Sequence, residues 1–206
     1  MPVDVTAVIP LKAVRASKTR MASALSPADR ALLLRRTFER VVEAARAASS
    51  VTGILVVVGD HVGRSWATRR GLDVLDEPPG GGLNAALAAA DTHLGASATL
   101  VLPADLPLVS PEDLDVVVRA LPGVPGVVVV PTGDGGTGAL VRAPGGVIPP
   151  RYGSGSADAH VAEARRRGVG CTVVTVAGLA LDLDQPADIE AAGGWSAVTG
   201  ARTLPT

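Results

Sequence analysis

Short apolar runs alternate with helical patterns along most of the chain, and this alternation constrains the fold more than any other feature. Five of the runs predict buried strands: VTAVIP (5–10), GILVVVG (53–59), DVLDE (73–77), ATLVLPA (98–104) and GVVVVP (126–131). Helices are predicted after Ser26-Pro27, over 82–94, and from Ser110-Pro111 to Ala120. This order predicts an α/β protein whose mainly parallel sheet is covered on both faces.

The pattern changes after residue 131. A stretch rich in Gly, Pro and Thr contains one short predicted strand, GALVR (138–142). A helix (156–168), a strand (171–176) and an acidic segment, LALDLDQPADIEAA (179–192), are predicted to follow. No internal repeat or linker interrupts the chain, so we expect a single domain over 1–206. We expect the tail from 193 onward to be frayed.

Charge and cysteine content limit the partners that the chain can have. The net charge is −1 over 206 residues, which predicts neither a nucleic-acid-binding surface nor a membrane-binding one. Cys171 is the single cysteine, so no disulfide can form within the chain, which fits a reducing compartment. It lies in an apolar strand, and we expect its side chain to be packed in the core. Because no run reaches the roughly 18 apolar residues of a membrane span, and the N-terminal pattern is not that of a signal peptide, we expect a cytoplasmic protein.

An acidic residue ends one of the apolar strands. Asp105 lies in LVLPADLPLV, where a charge costs several kcal/mol to bury unless it has a partner. Asp182 and Asp184 alternate with leucines, so both should lie on one face of an extended segment. Asp184 could instead cap a helix beginning at Pro186. If the two segments are neighbours, the three carboxylates would suit Mg²⁺. The predicted partner of Asp105 is therefore a metal ion and not a basic side chain.

A basic loop follows the first strand. Its sequence, PLKAVRASKTR, contains both lysines of the chain. Its polar residues suit the oxygens of a polyphosphate, although a solvated basic loop is an equal alternative: Lys12, Arg15, Ser17, Lys18, Thr19 and Arg20. The loop has neither the glycines of a Walker motif nor a dinucleotide fingerprint.

A glycine-rich turn and three histidines are further candidates for a binding site. The turn GGGLN (80–84) could bring backbone amides close to a nucleoside, with Asn84 early on the following helix, but an ordinary strand–helix turn is the simpler interpretation. His61, His93 and His160 have no zinc-ligand spacing. His160 follows Ser156 by four residues, and therefore shares its helix face.

Together these motifs resemble one family over about residues 5–192. PLKAVRASKTRM, GGGLNAAL, LPADLPLVSPEDL, GGTGAL, RYGSGSADAH and LDLDQPADI, in this order, are similar to the 2-phospho-L-lactate and phosphoenolpyruvate guanylyltransferases of coenzyme F420 biosynthesis. The resemblance implies a Rossmann-like, three-layer α/β/α fold of the nucleotide-diphospho-sugar transferase type. It also implies transfer of GMP from GTP to the phosphate of a three-carbon acid, with Mg²⁺ and release of pyrophosphate.

The resemblance also implies residue roles. Lys18 and Asp105 would be catalytic, and the metal ligands would be Asp105, Asp182 and Asp184. The GTP-binding residues would be Lys12, Lys18, Arg20, Glu77, Gly82 and Asn84. The acid would be held by Thr137, Gly138, Gly153, Ser156 and His160.

One departure from the family pattern concerns the acid. Many relatives carry Asn where this chain has Gly138, which we expect to touch the acceptor pocket. Phosphoenolpyruvate, 2-phospholactate and a phosphoglycerate therefore all remain open, as does association into a homodimer. The alternatives to this family are another nucleotidyltransferase of the same fold, such as the molybdenum-cofactor type, and a non-catalytic nucleotide-binding domain.

Overall fold

Seven strands form one sheet in the computed structural model, which describes residues 3–14 and 18–201. The strands are β1 (Val5–Leu11), β2 (Val51–Val58), β3 (Asp73–Asp76), β4 (Thr99–Val101), β5 (Gly126–Pro131), β6 (Thr137–Ala143) and β7 (Gly170–Val173). Their spatial order is β3-β2-β1-β4-β6-β5-β7. β6 runs antiparallel to β4 and β5, and the other neighbours are parallel. The prediction of a mainly parallel mixed sheet is confirmed.

Helices connect most of the strands. They are α1 (Pro27–Ala47), α2 (His61–Thr68), α3 (Gly82–Leu94), α4 (Pro111–Arg119), α5 (Ser156–Arg166), α6 (Pro186–Ala191) and α7 (Trp195–Thr199). The predicted helix starts are confirmed at Ser26, whose hydroxyl accepts from the Asp29 amide, and at Ser110, which accepts from the Asp113 amide. Within the described residues, no helix combines the length and apolarity needed to cross a membrane.

The side chains of the sheet alternate between two helical layers. On β1, Ile9 and Leu11 pack on one face with Phe38 of α1, in a cluster that also includes residues of α2 and α4. Val8 points to the other face, into a cluster with Leu87 of α3 and residues of α5. This period of two on buried strands gives the three-layer α/β/α arrangement, as expected.

The C-terminal region differs from the prediction. Trp195 and Val198 of α7 are only 4% and 5% exposed and pack against Met21 and Leu183 in a third apolar cluster. The Arg40 guanidinium also donates to the Ala197 carbonyl at 3.3 Å. The expectation of a frayed tail from 193 is therefore wrong up to residue 201, because burial of one apolar face holds this short helix in place. Residues 202–206 lie outside the described part of the chain.

Two smaller differences concern element limits. Helix α2 was not predicted, although Asp60 before it accepts from the Gly63 amide at 2.8 Å as an ordinary N-cap. The strand expected over 171–176 ends at Val173, where pairing with β5 stops.

The sheet topology brings several loops to one edge. β1, β4 and β5 all end there, and β6 begins there because it runs the opposite way. Open α/β sheets bind ligands at this edge. Lys12 follows β1, Asp105 follows β4 and Asp134 follows β5. Thr137 is the first residue of β6.

Candidate active site

A cavity of about 680 Å³ lies at this edge of the sheet, within the usual size range of ligand pockets. Nine of the predicted site residues line it: Lys12, Lys18, Arg20, Asp105, Thr137, Gly153, Ser156, Asp182 and Asp184. Five others do not: Glu77, Gly82, Asn84, Gly138 and His160. Arg15 and Ser17 of the basic loop fall outside the described residues.

Lys18 is the buried cation of the site. Its side chain is 5% exposed, and its backbone adopts φ 58°, a left-handed conformation that is uncommon outside glycine. The ammonium binds the Asp105 carboxylate and the Leu183 carbonyl, because a buried ammonium must have acceptors. The prediction that Asp105 has no basic partner is therefore wrong.

The two acidic segments are neighbours, as the metal-site hypothesis required. The Leu183 amide donates to the Asp105 carbonyl at 3.2 Å, and the Leu183 side chain is fully buried in the third cluster. Asp182 and Asp184 therefore face the cavity from the other side of the segment. Asp184 is not the N-cap of α6, because Gln185 occupies that position. The Asp188 carboxylate accepts from the backbone amides of Asp184 and Gln185.

The three predicted metal ligands do not form a compact set. Asp105 binds Lys18 and Asp184 binds Arg20, so two of the carboxylates already have cationic partners. Within residues 3–14 and 18–201, no three His, Cys, Asp or Glu side chains are grouped closely enough to hold a metal ion. The convergence of three carboxylates is thus only partial in this structure.

Asp134 is the charged residue of the cavity lining that the sequence analysis missed. Its carboxylate accepts from the Thr132 hydroxyl at 2.5 Å and from the Gly136 amide at 3.0 Å, which lowers its pKa. It faces Asp182, whose pKa rises to about 6 because of burial and the negative charges of Asp105 and Asp134. The sequence feature that could have indicated Asp134 is the stretch TGDGG. In such a turn an Asp side chain typically accepts from the backbone amide two residues further on.

Asn84 joins two loops rather than lining the cavity. Its amide donates to the Tyr152 carbonyl at 2.9 Å and accepts from the Tyr152 amide at 2.8 Å. Both polar atoms are thereby used, and the start of α3 is tied to the loop that contains Gly153. Of the GGGLN turn, Leu83 lines the cavity, whereas Gly82 and Asn84, which were predicted to line it, do not.

Glu77 lies behind the basic loop. Its amide donates to the Val58 carbonyl, and a Cβ atom at Gly59 would come 3.0 Å from its carboxylate. The same Cβ atom would come 2.7 Å from the Ala13 amide nitrogen. Gly59 therefore allows the basic loop to approach β2, and Glu77 packs against this junction away from the cavity.

Thr137, Gly153 and Ser156 form a surface that we call the hydroxyl wall. The Thr137 and Ser156 hydroxyl oxygens are 2.8 Å apart, and His160 Nδ1 lies 3.1 Å from the Thr137 oxygen. His160 is fully buried behind this wall. The pKa of its imidazole falls to about 4 because of burial, with further lowering by nearby arginines.

Gly138 faces away from the cavity. A Cβ atom there would lie 1.8 Å from the Leu179 carbonyl oxygen, so the backbone of residue 179 leaves no space for a side chain. No side chain at residue 138 could reach the cavity without moving Leu179, and Gly138 is not among the residues that line it. An Asn at this position would require Leu179 to move.

One family model and several known proteins match nearly the whole chain. The model described as "Guanylyl transferase CofC like" matches residues 5–192. A phosphoenolpyruvate guanylyltransferase from Sphaerobacter thermophilus is 37% identical over 196 residues, which cover 93% of this chain and 94% of that protein. A 3-phospho-D-glycerate guanylyltransferase from Phenylobacterium zucineum is 33% identical over 195 residues, covering 91% and 89%.

A solved structure supports the fold separately. A nucleotidyl transferase from Methanothermobacter superposes with a TM-score of 0.68 at 20% identity, covering 91% of this chain and 95% of that one. At this identity the likeness concerns the fold alone. With the family model matching nearly the whole chain, the protein belongs to the guanylyl transferase CofC-like family.

Proposed function

We propose that the protein transfers GMP from GTP to the phosphate of a small phospho-acid. One observation carries the proposal: the same cavity is lined by cations of the basic loop, by the hydroxyl wall and by four carboxylates. A site for two polyanions needs cations and hydrogen-bond donors on both sides of the reacting atoms.

The reaction itself asks for positioning and charge neutralisation. An oxygen of the acceptor's phosphate attacks the α-phosphorus of GTP, the bond from that phosphorus to the bridging oxygen breaks, and pyrophosphate leaves with the bond's electrons. Lys12, Lys18 and Arg20 would bind the triphosphate, and of these Lys18 is the buried one, bound to Asp105. Stabilising the charge that develops on the phosphoryl oxygens would be its main contribution. Thr137, Ser156 and the backbone at Gly153 would hold the acid.

The cavity carboxylates are of the kind that Mg²⁺ takes as ligands, although within the described residues they are not grouped into a compact set. Burial and the charges of Asp105 and Asp134 raise the pKa of Asp182, and hard oxygen ligands with surplus negative charge favour a divalent cation. Asp105 and Asp182 would hold the ion, and Asp184 could join them by leaving Arg20. Bound there, Mg²⁺ would supply positive charge to the phosphate oxygens.

We propose phosphoenolpyruvate as the acceptor. The Sphaerobacter relative at 37% identity bears that substrate in its name, and it is similar over nearly its full length. 3-Phospho-D-glycerate is the second candidate because the Phenylobacterium relative at 33% identity is named for it. Either product fits the coenzyme F420 pathway suggested by the motifs. A cytoplasmic location and a homodimer stay predictions, the latter testable by light scattering.

The test is a turnover assay with each acid. The protein is incubated with Mg²⁺, GTP and phosphoenolpyruvate, 2-phospholactate or 3-phosphoglycerate, and pyrophosphate release is followed. We expect release with phosphoenolpyruvate and a loss of at least about 100-fold in Asp105→Asn. Asp76→Asn, at an exposed ion pair outside the cavity, is the matched control. GTP binding without turnover would favour the non-catalytic alternative, and activity only with a molybdopterin acceptor would favour the other enzyme class.

A further inference from the structure

A chain of hydrogen bonds runs from the backbone of Arg151 to the hydroxyl wall. The Arg151 amide donates to His160 Nε2 at 2.9 Å, Nδ1 of the same ring lies 3.1 Å from the Thr137 hydroxyl, and that hydroxyl lies 2.8 Å from the one of Ser156. His160 is fully buried, and Ser156 is 1% exposed. The Tyr152 ring packs edge-on against the imidazole, with centroids 5.0 Å apart.

The Arg151 amide fixes the tautomer of His160. A backbone amide can only donate, so Nε2 must carry the lone pair that accepts from it. A neutral imidazole has one N–H, and the lowered pKa keeps this ring neutral at ordinary pH. The proton therefore lies on Nδ1, which donates to the Thr137 oxygen.

Counting protons shows what this tautomer does to the wall. Nδ1–H and the two hydroxyls provide three hydrogens, and the two bonds among these groups use two of them. One hydroxyl hydrogen is left to point into the cavity, whichever of Thr137 and Ser156 supplies it. With the proton on Nε2 instead, Nδ1 would accept from Thr137 and Ser156 would donate to Thr137, so only lone pairs would face the ligand.

We propose that His160 is a positioning residue whose fixed tautomer turns the Thr137–Ser156 pair into a hydrogen-bond donor for an anionic oxygen of the acid. This deepens the proposed function and rests on it. A carboxylate or phosphate oxygen is bound by a donor and repelled by a lone pair, so the direction of a hidden hydrogen bond sets the affinity of the wall for an anion. The imidazole itself touches no substrate, because it lies behind the wall.

Two substitutions separate the two nitrogens of the ring. His160→Asn places an amide near the Nδ1 position and can still donate to Thr137, but it does not reach the Arg151 amide. His160→Gln places its amide near the Nε2 position and can accept from Arg151, but it leaves Thr137 without its donor. Both replace the ring by a smaller polar group, so each is the packing control for the other.

The kinetic experiment compares KM for the acid with KM for GTP in these variants. In His160→Gln the two hydroxyls still share one spare hydrogen, but with no N–H behind Thr137 that hydrogen is free to turn away from the cavity. We therefore expect KM for the acid to rise, by up to about 10-fold, the value of one hydrogen bond to a charged group. KM for GTP should change less than about 2-fold, and His160→Asn should recover most of the lost affinity. Equal effects of both variants, or parallel changes in both KM values, would overturn the proposal and leave His160 with a packing role.

A second measurement does not depend on turnover. Proton–nitrogen correlation NMR of ¹⁵N-histidine-labelled protein distinguishes the two tautomers, and His160→Asn assigns its signals among the three histidines. We expect a proton on Nδ1 and a bare Nε2. A proton on Nε2 would overturn the proposal even if the enzyme is active. If this tautomer is found but no acid supports pyrophosphate release, the proposed function fails while the assignment of His160 stands.

Discussion

The basic-loop side of the cavity and the hydroxyl wall differ in how their polar groups are held. On the first side, Arg20 and Asp184 pair at the surface, with 70% and 44% of their side chains exposed, and Lys12 is exposed. On the other side Thr137, Ser156 and His160 are buried and bonded to one another. Charged groups act over several ångströms and tolerate movement, whereas neutral donors act only in a fixed direction.

Lys18 is the exception that joins the two arrangements. It belongs to the basic loop, yet it is as buried as the residues of the wall and is held by Asp105 and the Leu183 carbonyl. Both of these acceptors lie on the segments that carry the cavity carboxylates. The difference between the sides therefore predicts that removing an exposed charge weakens GTP binding with little effect on folding, while removing a buried charge lowers turnover or stability.

The largest effect is expected from Lys18→Met, which keeps the aliphatic stem and removes the charge. If the ammonium stabilises charge at the α-phosphorus, kcat should fall by about 100- to 1,000-fold. Lys12→Met, at an exposed position, should mainly raise KM for GTP. Pyrophosphate release with saturating GTP measures both, and circular dichroism controls for folding. An unchanged kcat in Lys18→Met would show that Lys18 serves the structure of the loop alone.

The next effect is on stability and compares two ion pairs. Near the end of β6 that is opposite to Thr137, Arg142 is fully buried and donates to both oxygens of Asp91 on α3 at 2.7 and 2.6 Å. Asp91→Leu leaves this guanidinium unpaired and should lower the free energy of unfolding by about 3 to 5 kcal/mol. Asp91→Leu combined with Arg142→Met should recover much of this loss.

Arg20→Met is the matched variant at the exposed pair, and it should change the free energy of unfolding by less than about 1 kcal/mol. Urea denaturation measures all four proteins. If Asp91→Leu and Arg20→Met destabilised the protein equally, the contrast between buried and exposed charged groups would not hold.

Much of the fold could be predicted because it depends on patterns within single elements. The apolar runs gave the strands, and Ser26 and Ser110 with their following prolines gave two helix starts within a residue. The helix Trp195–Thr199 could not be predicted, because its stability comes from packing against Met21 and Leu183 and not from its five residues.

The site was predictable where a residue directly follows a strand, as Lys12 and Asp105 do, since topology brings such residues together. The direction in which a residue points relative to the cavity was not predictable. Asn84 and Gly138 lie in motifs that reach the cavity. The Asn84 side chain, however, is bonded to the Tyr152 backbone, and the Leu179 carbonyl occupies the space next to Gly138. Those contacts join segments distant in sequence, and no local pattern records them.

The smallest effect tests whether the carboxylates between the two sides repel one another. Folding raises the pKa of Asp182 from 3.8 to about 6 through burial and the charges of Asp105 and Asp134. Between these two values the folded protein keeps a proton that the unfolded chain has lost. The free energy of unfolding contributed by this group therefore falls as pH rises through this window, and the loss is complete above pH 6.

Asp182→Asn removes this repulsion. In EDTA at pH 7.5, the variant should be more stable than the parent by about 0.5 to 1 kcal/mol, since the partly exposed site is screened by water. At pH 4 most of the advantage should vanish, because the carboxyl of the folded parent is then protonated and carries no charge for Asp105 and Asp134 to repel. Urea denaturation at the two pH values measures it, with Asp76→Asn as an exposed control. A variant that is less stable at both would mean that Asp182 is held by favourable contacts, and the carboxylates would then be no reason to expect a cation between the two sides.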